Sequence, residues 1–151
     1  MVDELNQKIV VLVEPQATLN NGSFTVNVLD TVGWDYVSIY VALGAMDAAL
    51  TACKLNEADA KASATALTGG TLVPNSDYSV SGTLPTVAAD ANNVVAWHVQ
   101  LTAGRKRFLL PVITVGNGTN GAFVTVWATL SRAKQVPNTA ALRGLQQDLF
   151  C

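Results

Sequence analysis

Apolar and polar residues alternate with a period of two along much of this chain, which places one set of side chains on each face of an extended strand. Residues 36–43 read YVSIYVAL. Val37, Ile39, Val41 and Leu43 share one face, and Tyr36, Ser38, Tyr40 and Ala42 share the other, so the pattern predicts a strand with an aromatic outer face. Residues 24–28 alternate through Phe24, Val26 and Val28. Residues 94–101 set Val95, Trp97, Val99 and Leu101 against Ala96, His98 and Gln100. Residues 108–115 and 122–130 follow as two more strands, and the connections at 102–106 and 116–121 have lengths suited to antiparallel hairpins, which predicts a three-stranded meander. Pro111 has no N–H to give to a ladder, so a bulge or a gap in pairing is expected there. Near the start, residues 8–14 (KIVVLVE) form a continuous apolar run, expected to be a strand covered on both faces and ended by Pro15.

Three stretches are less regular. Residues 44–66 are rich in alanine and satisfy helix propensity, but the apolar positions match a helical stripe only in part. The preferred reading is a hairpin, with a turn at Gly44, Ala45, Met46 and Asp47 and a strand over 50–57 carrying Thr51, Cys53 and Leu55 on one face; the helix remains open. Residues 68–93 are dense in Gly, Pro, Ser, Asn and Asp, and predict loops with short strands near Leu72, Val73 and Val80. Beyond Ser131 the alternation dissolves, and 139–150 suit a short amphipathic helix with Leu142, Leu145 and Leu149 along one side.

Composition agrees with sheet. Val and Thr fit a pleated surface, while Asn and Gly serve turns. The expected fold is all-β: an antiparallel β-sandwich or barrel-like domain over 8–132 with long loops, an N-terminal arm over 1–7 and a C-terminal tail over 133–151. A chain of 151 residues is long enough for one such core without metals or disulfides. Half of its residues are apolar and only 13% are charged. That is dry for a free surface, so part of it is expected to be covered by another protein. A net charge of −2 provides no general attraction to phosphate. No apolar run approaches the roughly 20 residues of a membrane helix. Residues 1–7 lack a basic or apolar leader pattern, so synthesis in a cytoplasm is expected, and the NGS and NGT triplets at Asn21 and Asn117 read as turns.

Chemistry is sparse. The one histidine, His98, lies on the polar face of a strand with no nucleophile signature near it in sequence. Cys53 and Cys151 are expected to be reduced thiols, and with one histidine they match no zinc spacing. Glu57 and Asp59 share a strand face but lack the remaining ligands of a calcium loop, and the glycine-rich stretches lack the Lys and Ser/Thr of a phosphate cradle. No catalytic, metal or cofactor site is therefore expected.

Contact features stand out more. Arg105, Lys106 and Arg107 concentrate three of the nine Lys and Arg residues on one rim, able to meet carboxylates on a partner. Among the aromatics, Trp97 and Trp127 read as core residues, whereas Trp34, beside Gly33 in a loop, is a candidate contact. Leu142, Leu145 and Leu149 would form a docking stripe on the tail.

Residues 35–41 (DYVSIYV), 54–59 (KLNEAD), 104–109 (GRKRFL) and 121–124 (GAFV) together resemble the decoration, or cement, proteins of tailed-bacteriophage heads, over about residues 24–132. The resemblance implies a β-rich structural protein that is made in the host cytoplasm, joins the virion and binds the outer surface of the major capsid protein shell as a dimer or trimer. Neither nucleic acid nor membrane would be contacted directly. Selective binding to the assembled, expanded shell would stabilise that state by mass action. On this reading the rim and the terminal segments carry the contacts. Two alternatives stay open: a head-completion or tail protein, and a carbohydrate-binding module.

Overall fold

The structure, a computed structural model, describes residues 6–24, 26–60, 71–73, 91–101, 105–134 and 139–147. Two antiparallel sheets face each other. The first contains β1 (Gln7–Leu19), β9 (Ala122–Ala133), β4 (Trp34–Met46) and β7 (Val94–Gln100), in that spatial order. The second contains β2 (Gly22–Ser23), β8 (Phe108–Val115), β5 (Leu50–Ala58) and β6 (Thr71–Val73), with β3 (Leu29–Asp30) also alongside β8. The fold is thus the expected all-β sandwich.

Its core is the set of inward positions that the alternation defines. Val37, Ile39 and Val41 of β4, Val126 and Leu130 of β9 and Trp97 and Val99 of β7 meet Cys53 and Leu55 of β5 and Leu109, Ile113 and Val115 of β8, all almost wholly buried. Burying each large apolar side chain is worth roughly 1.5–3 kcal/mol, so these facing layers are the main source of stability.

Connectivity departs from expectation. β7, β8 and β9 do not form a meander, because β7 pairs with β4, β8 with β5, and β9 with β1 and β4. Likewise β5 exists as predicted but does not make a hairpin with β4. Each of these links crosses from one sheet to the other. A short polar loop reverses the chain equally well within a sheet or across the sandwich. The choice falls to whichever arrangement buries both apolar faces. β4 also runs on through Gly44 to Met46, which moves the turn to Asp47, Ala48 and Ala49. A register shift between Leu50 and Ala52 then leaves Thr51 exposed while Leu50, Cys53 and Leu55 point inward.

Other local expectations are corrected in the same way. β1 continues past Pro15, since its pairing with β9 skips from Val13 to Ala17 and asks no N–H of the proline. Residues 24 and 26–28 lie outside any strand, although Val26 is buried and Phe24 and Val28 pack on the core. Pro111 does sit at a gap. The Ile113 carbonyl accepts from Phe24 N–H on the flank nearest β2, so alternation turns the Pro111 nitrogen the same way. On that flank β3 pairs only with 108–109 and β2 only with 114–115. Residues 139–147 form a single turn rather than a helix. Thr139 Oγ1 accepts from Leu142 N–H at its start; at its end Leu145 N–H donates to the Ala140 carbonyl and Gly144 N–H to that of Ala141, a Schellman stop with Gly144 at φ 75°. Capped at both ends, the segment cannot propagate.

At one end of the sandwich three crossings lock together. The Asp47 carboxylate accepts from the backbone N–H groups of Asn120, Gly121 and Thr119 and from Asn120 Nδ2. Asn20 bonds both the N–H and the carbonyl of Gly118, and Gly116 N–H donates to the Ala49 carbonyl. Hydrogen bonds from the amide of Asn120, then those of Gly121 and Thr119, hold the Asp47 carboxyl below its ordinary value.

Two outcomes follow from this end. Gly121 has φ 82°, and a Cβ there would collide with the Leu19 carbonyl, so G121A should lower unfolding stability in urea by at least about 2 kcal/mol. Asp47 is depressed in the folded state, so its contribution is full above the ordinary carboxylate range and disappears as pH falls through the folded value. Thermal melts of D47N should therefore fall below wild type at neutral pH, with the two converging in acid.

Candidate functional site

Outward positions of the first sheet form ordered rows, because residues paired in an antiparallel ladder share a face. One row runs Gln7, Ser131, Tyr36, Gln100; the next Ile9, Thr129, Ser38, His98; the next Val11, Trp127, Tyr40, Ala96. Thr125, Ala42 and Val94 follow, with Phe123 beyond. None of these positions carries an Asp, Glu, Lys or Arg. Val11 remains 48% exposed and Phe123 42%, so a largely apolar, aromatic face is open, with the exposed Glu14 of β1 and Arg132 of β9 at its margins. Gly44 makes room for Phe123, since a Cβ at 44 would come within 3.0 Å of the Phe123 Cβ. Beside them Ala42, Gly44, Phe123 and Thr125 line a shallow apolar groove of about 410 Å³.

The rings on this face are packed against one another. Tyr40 stacks on Trp127 with centroids 5.3 Å apart, His98 meets Tyr40 edge-on at 6.2 Å and stacks on Tyr36 at 6.4 Å, and the Arg132 guanidinium lies over Tyr36 at 5.4 Å. Ring faces are thus engaged within the chain, an arrangement that suits apolar contact with a protein better than stacking on a sugar. Trp127, read from sequence as core, is half-buried on this outer face; Trp97 is core as expected. The alternation marked Tyr36 and Tyr40 as outward, and the same parity applied to β9 would have found Trp127.

Folding also brings Ser38 Oγ within 2.9 Å of His98 Nδ1, a pair separated by 60 residues and invisible in sequence. Nucleophilic catalysis asks for more: an orienting group for the base and free donors for an oxyanion. The row containing the pair and the rows flanking it carry no carboxylate, and β4 is hydrogen-bonded on both sides, to β7 and β9. Here the pair serves to fix the histidine ring against its two tyrosines.

The basic rim lies at the end opposite Asp47, where it ties the start of β8 to its neighbours β3 and β5 in the second sheet. Arg107 donates from Nε and Nη2 to the two carboxylate oxygens of Asp30, at 2.8 and 2.6 Å, and its backbone carbonyl accepts from Thr31. This pairing raises the Arg107 guanidinium above its ordinary value, the bonds to Asp30 being the main cause. Lys106 pairs with Asp59 at 3.3 Å, and its N–H donates to Glu57. Two of the three cations are therefore engaged at home, leaving Arg105 exposed without a described carboxylate partner. Trp34 opens β4 half-buried and packs on the core. Leu142 is 56% exposed, Leu145 is partly covered, and Leu149 lies outside the described residues, as do Tyr78 and Cys151. The predicted contacts are gathered only in part: Trp34 lies at the rim's end of the sandwich, its N–H donating to the carbonyl of Thr31, a residue that itself donates to the Arg107 carbonyl, whereas the tail turn docks beside β1.

Among the described residues no cluster of His, Cys, Asp and Glu could hold a metal, and no helix is long and apolar enough to cross a membrane. Comparison with family models, curated proteins and solved structures returns no match.

Burial pushes the Cys53 thiol up to about 12. The expected outcome is that Cys53 resists alkylation in the native protein near neutral pH and reacts fully once unfolded, as peptide mapping by mass spectrometry would record.

Proposed function

We propose that this chain is a non-catalytic structural protein of a tailed-phage head, which binds the outer surface of the capsid shell and stabilises it. The observation that carries the reading is the largely apolar, aromatic face of the first sheet. An exposed apolar patch of this breadth, on a rigid sheet and with its rings already ordered, marks a protein contact. Rigidity matters because little side-chain entropy is then lost on docking. The resemblance of the strand and rim segments to decoration proteins supplies the partner. On this reading the aromatic face supplies most of the binding energy and Arg105 a peripheral charge that favours approach to an acidic shell. Binding to the expanded shell alone would shift the shell equilibrium towards that state.

Quantitative mass spectrometry of virions should find the chain at copy numbers near that of the major capsid protein; a dozen or so copies would reassign it to the neck or tail, and absence would refute the reading. With purified expanded shells, V11E should lose most of its occupancy at an unchanged melting temperature, because it places a charge within the apolar contact. Equal occupancy of V11E and wild type would remove the face from the interface.

A further inference from the structure

The two edges of the first sheet differ. β1, at one edge, is interrupted by two register shifts, contains Pro15, and is covered in part, with Ile9 N–H donating to the Arg143 carbonyl of the tail turn and the Leu12 carbonyl accepting from Asn27 N–H. These features block strand addition. β7, at the other edge, shows none of them among the described residues. Its seven residues pair with β4 in an unbroken register from Val94 to Gln100 and contain no proline, no Lys, Arg, Asp or Glu and no bulge.

Parity identifies the backbone groups at this edge. Leu101 N–H donates to the Asp35 carbonyl and Leu43 N–H to that of Asn93, so the odd-numbered residues turn towards β4. Val94, Ala96, His98 and Gln100 therefore turn their N–H and C=O groups outward, and among the described residues nothing bonds to them.

We infer that β7 pairs antiparallel with β7 of a second copy of this chain about a two-fold axis at Trp97. In an antiparallel ladder two outward-turned residues exchange both hydrogen bonds. The register with its axis at Trp97 matches Val94 with the second copy's Gln100 and Ala96 with its His98, so all four outward residues of each strand are used. Side chains agree with this register: small Ala96 lies beside the bulkier His98 of the other copy, and no like charges meet. The pairing is self-complementary, as a two-fold contact requires. It joins the two sheets into one continuous sheet and places the two aromatic faces side by side. It does not depend on what covers those faces.

The test is sedimentation equilibrium of the full chain, without any capsid, over a wide concentration range, together with amide hydrogen exchange. Wild type should dimerise, and the amides of Val94, Ala96, His98 and Gln100 should become protected as the dimer forms. A96P removes an outward N–H without touching the ladder to β4, and should weaken dimerisation at least about tenfold with the monomer's far-UV spectrum retained. A96K, which keeps the N–H but brings two added cations together across the axis, tests the same register should the proline disturb folding; it too should weaken the dimer, and more so at low salt. A wild type that stays monomeric throughout, or a dimer in which these four amides exchange freely, would overturn the inference.

Discussion

Three strand crossings converge at one end of the sandwich, and the Asp47 carboxylate binds them by accepting three consecutive amides of the loop before β9. Without this bond the glycine-rich loop would have to leave three N–H groups to water. Asn20 and Gly121 complete the arrangement, one by bonding Gly118 and the other by passing so close to Leu19 that no side chain fits. At the opposite end the ion pairs of Arg107 with Asp30 and Lys106 with Asp59 tie the start of β8 to β3 and to the end of β5 within the second sheet, so cations that look available in sequence are engaged there.

Pinned at the Asp47 end, the first sheet acts as a platform. Its inner side chains are committed to the core, while its outer side presents mainly tyrosine, tryptophan and short aliphatic groups. Serine, histidine and arginine on or beside this face serve to hold the rings in place: Ser38 through its bond to His98, His98 through both tyrosines, and Arg132 over Tyr36. Such a surface offers contact area and little chemistry. The β7 edge, open among the described residues, would through the inferred pairing double that area without new binding groups.

Strands were the most legible part of the chain, because burying one face imposes a period of two that is visible wherever the run is regular; the inward residues of β4 and β7 follow from it directly. Alternation also placed Tyr36 and Tyr40 outward. It could not say which strands are neighbours. A loop of a few polar residues is compatible with a hairpin or with a crossing, and the meander expected from β7 to β9 and the hairpin expected after β4 both gave way to crossings that cover two apolar faces at once. Pro15 misled for a related reason: a missing N–H matters only if a neighbour asks for it, and there none does, whereas the gap in pairing expected at Pro111 is present. The tail helix failed because its two caps lie one turn apart. By itself the sequence determined the all-β class and most of the core, since these depend on the local period and on residue type. Only the tertiary structure decided that the basic rim is paired, that Ser38 meets His98, that Trp127 joins Tyr40 on the open face and that β7 is the exposed edge. Each of these joins residues far apart in the chain, and is set by which strands lie side by side.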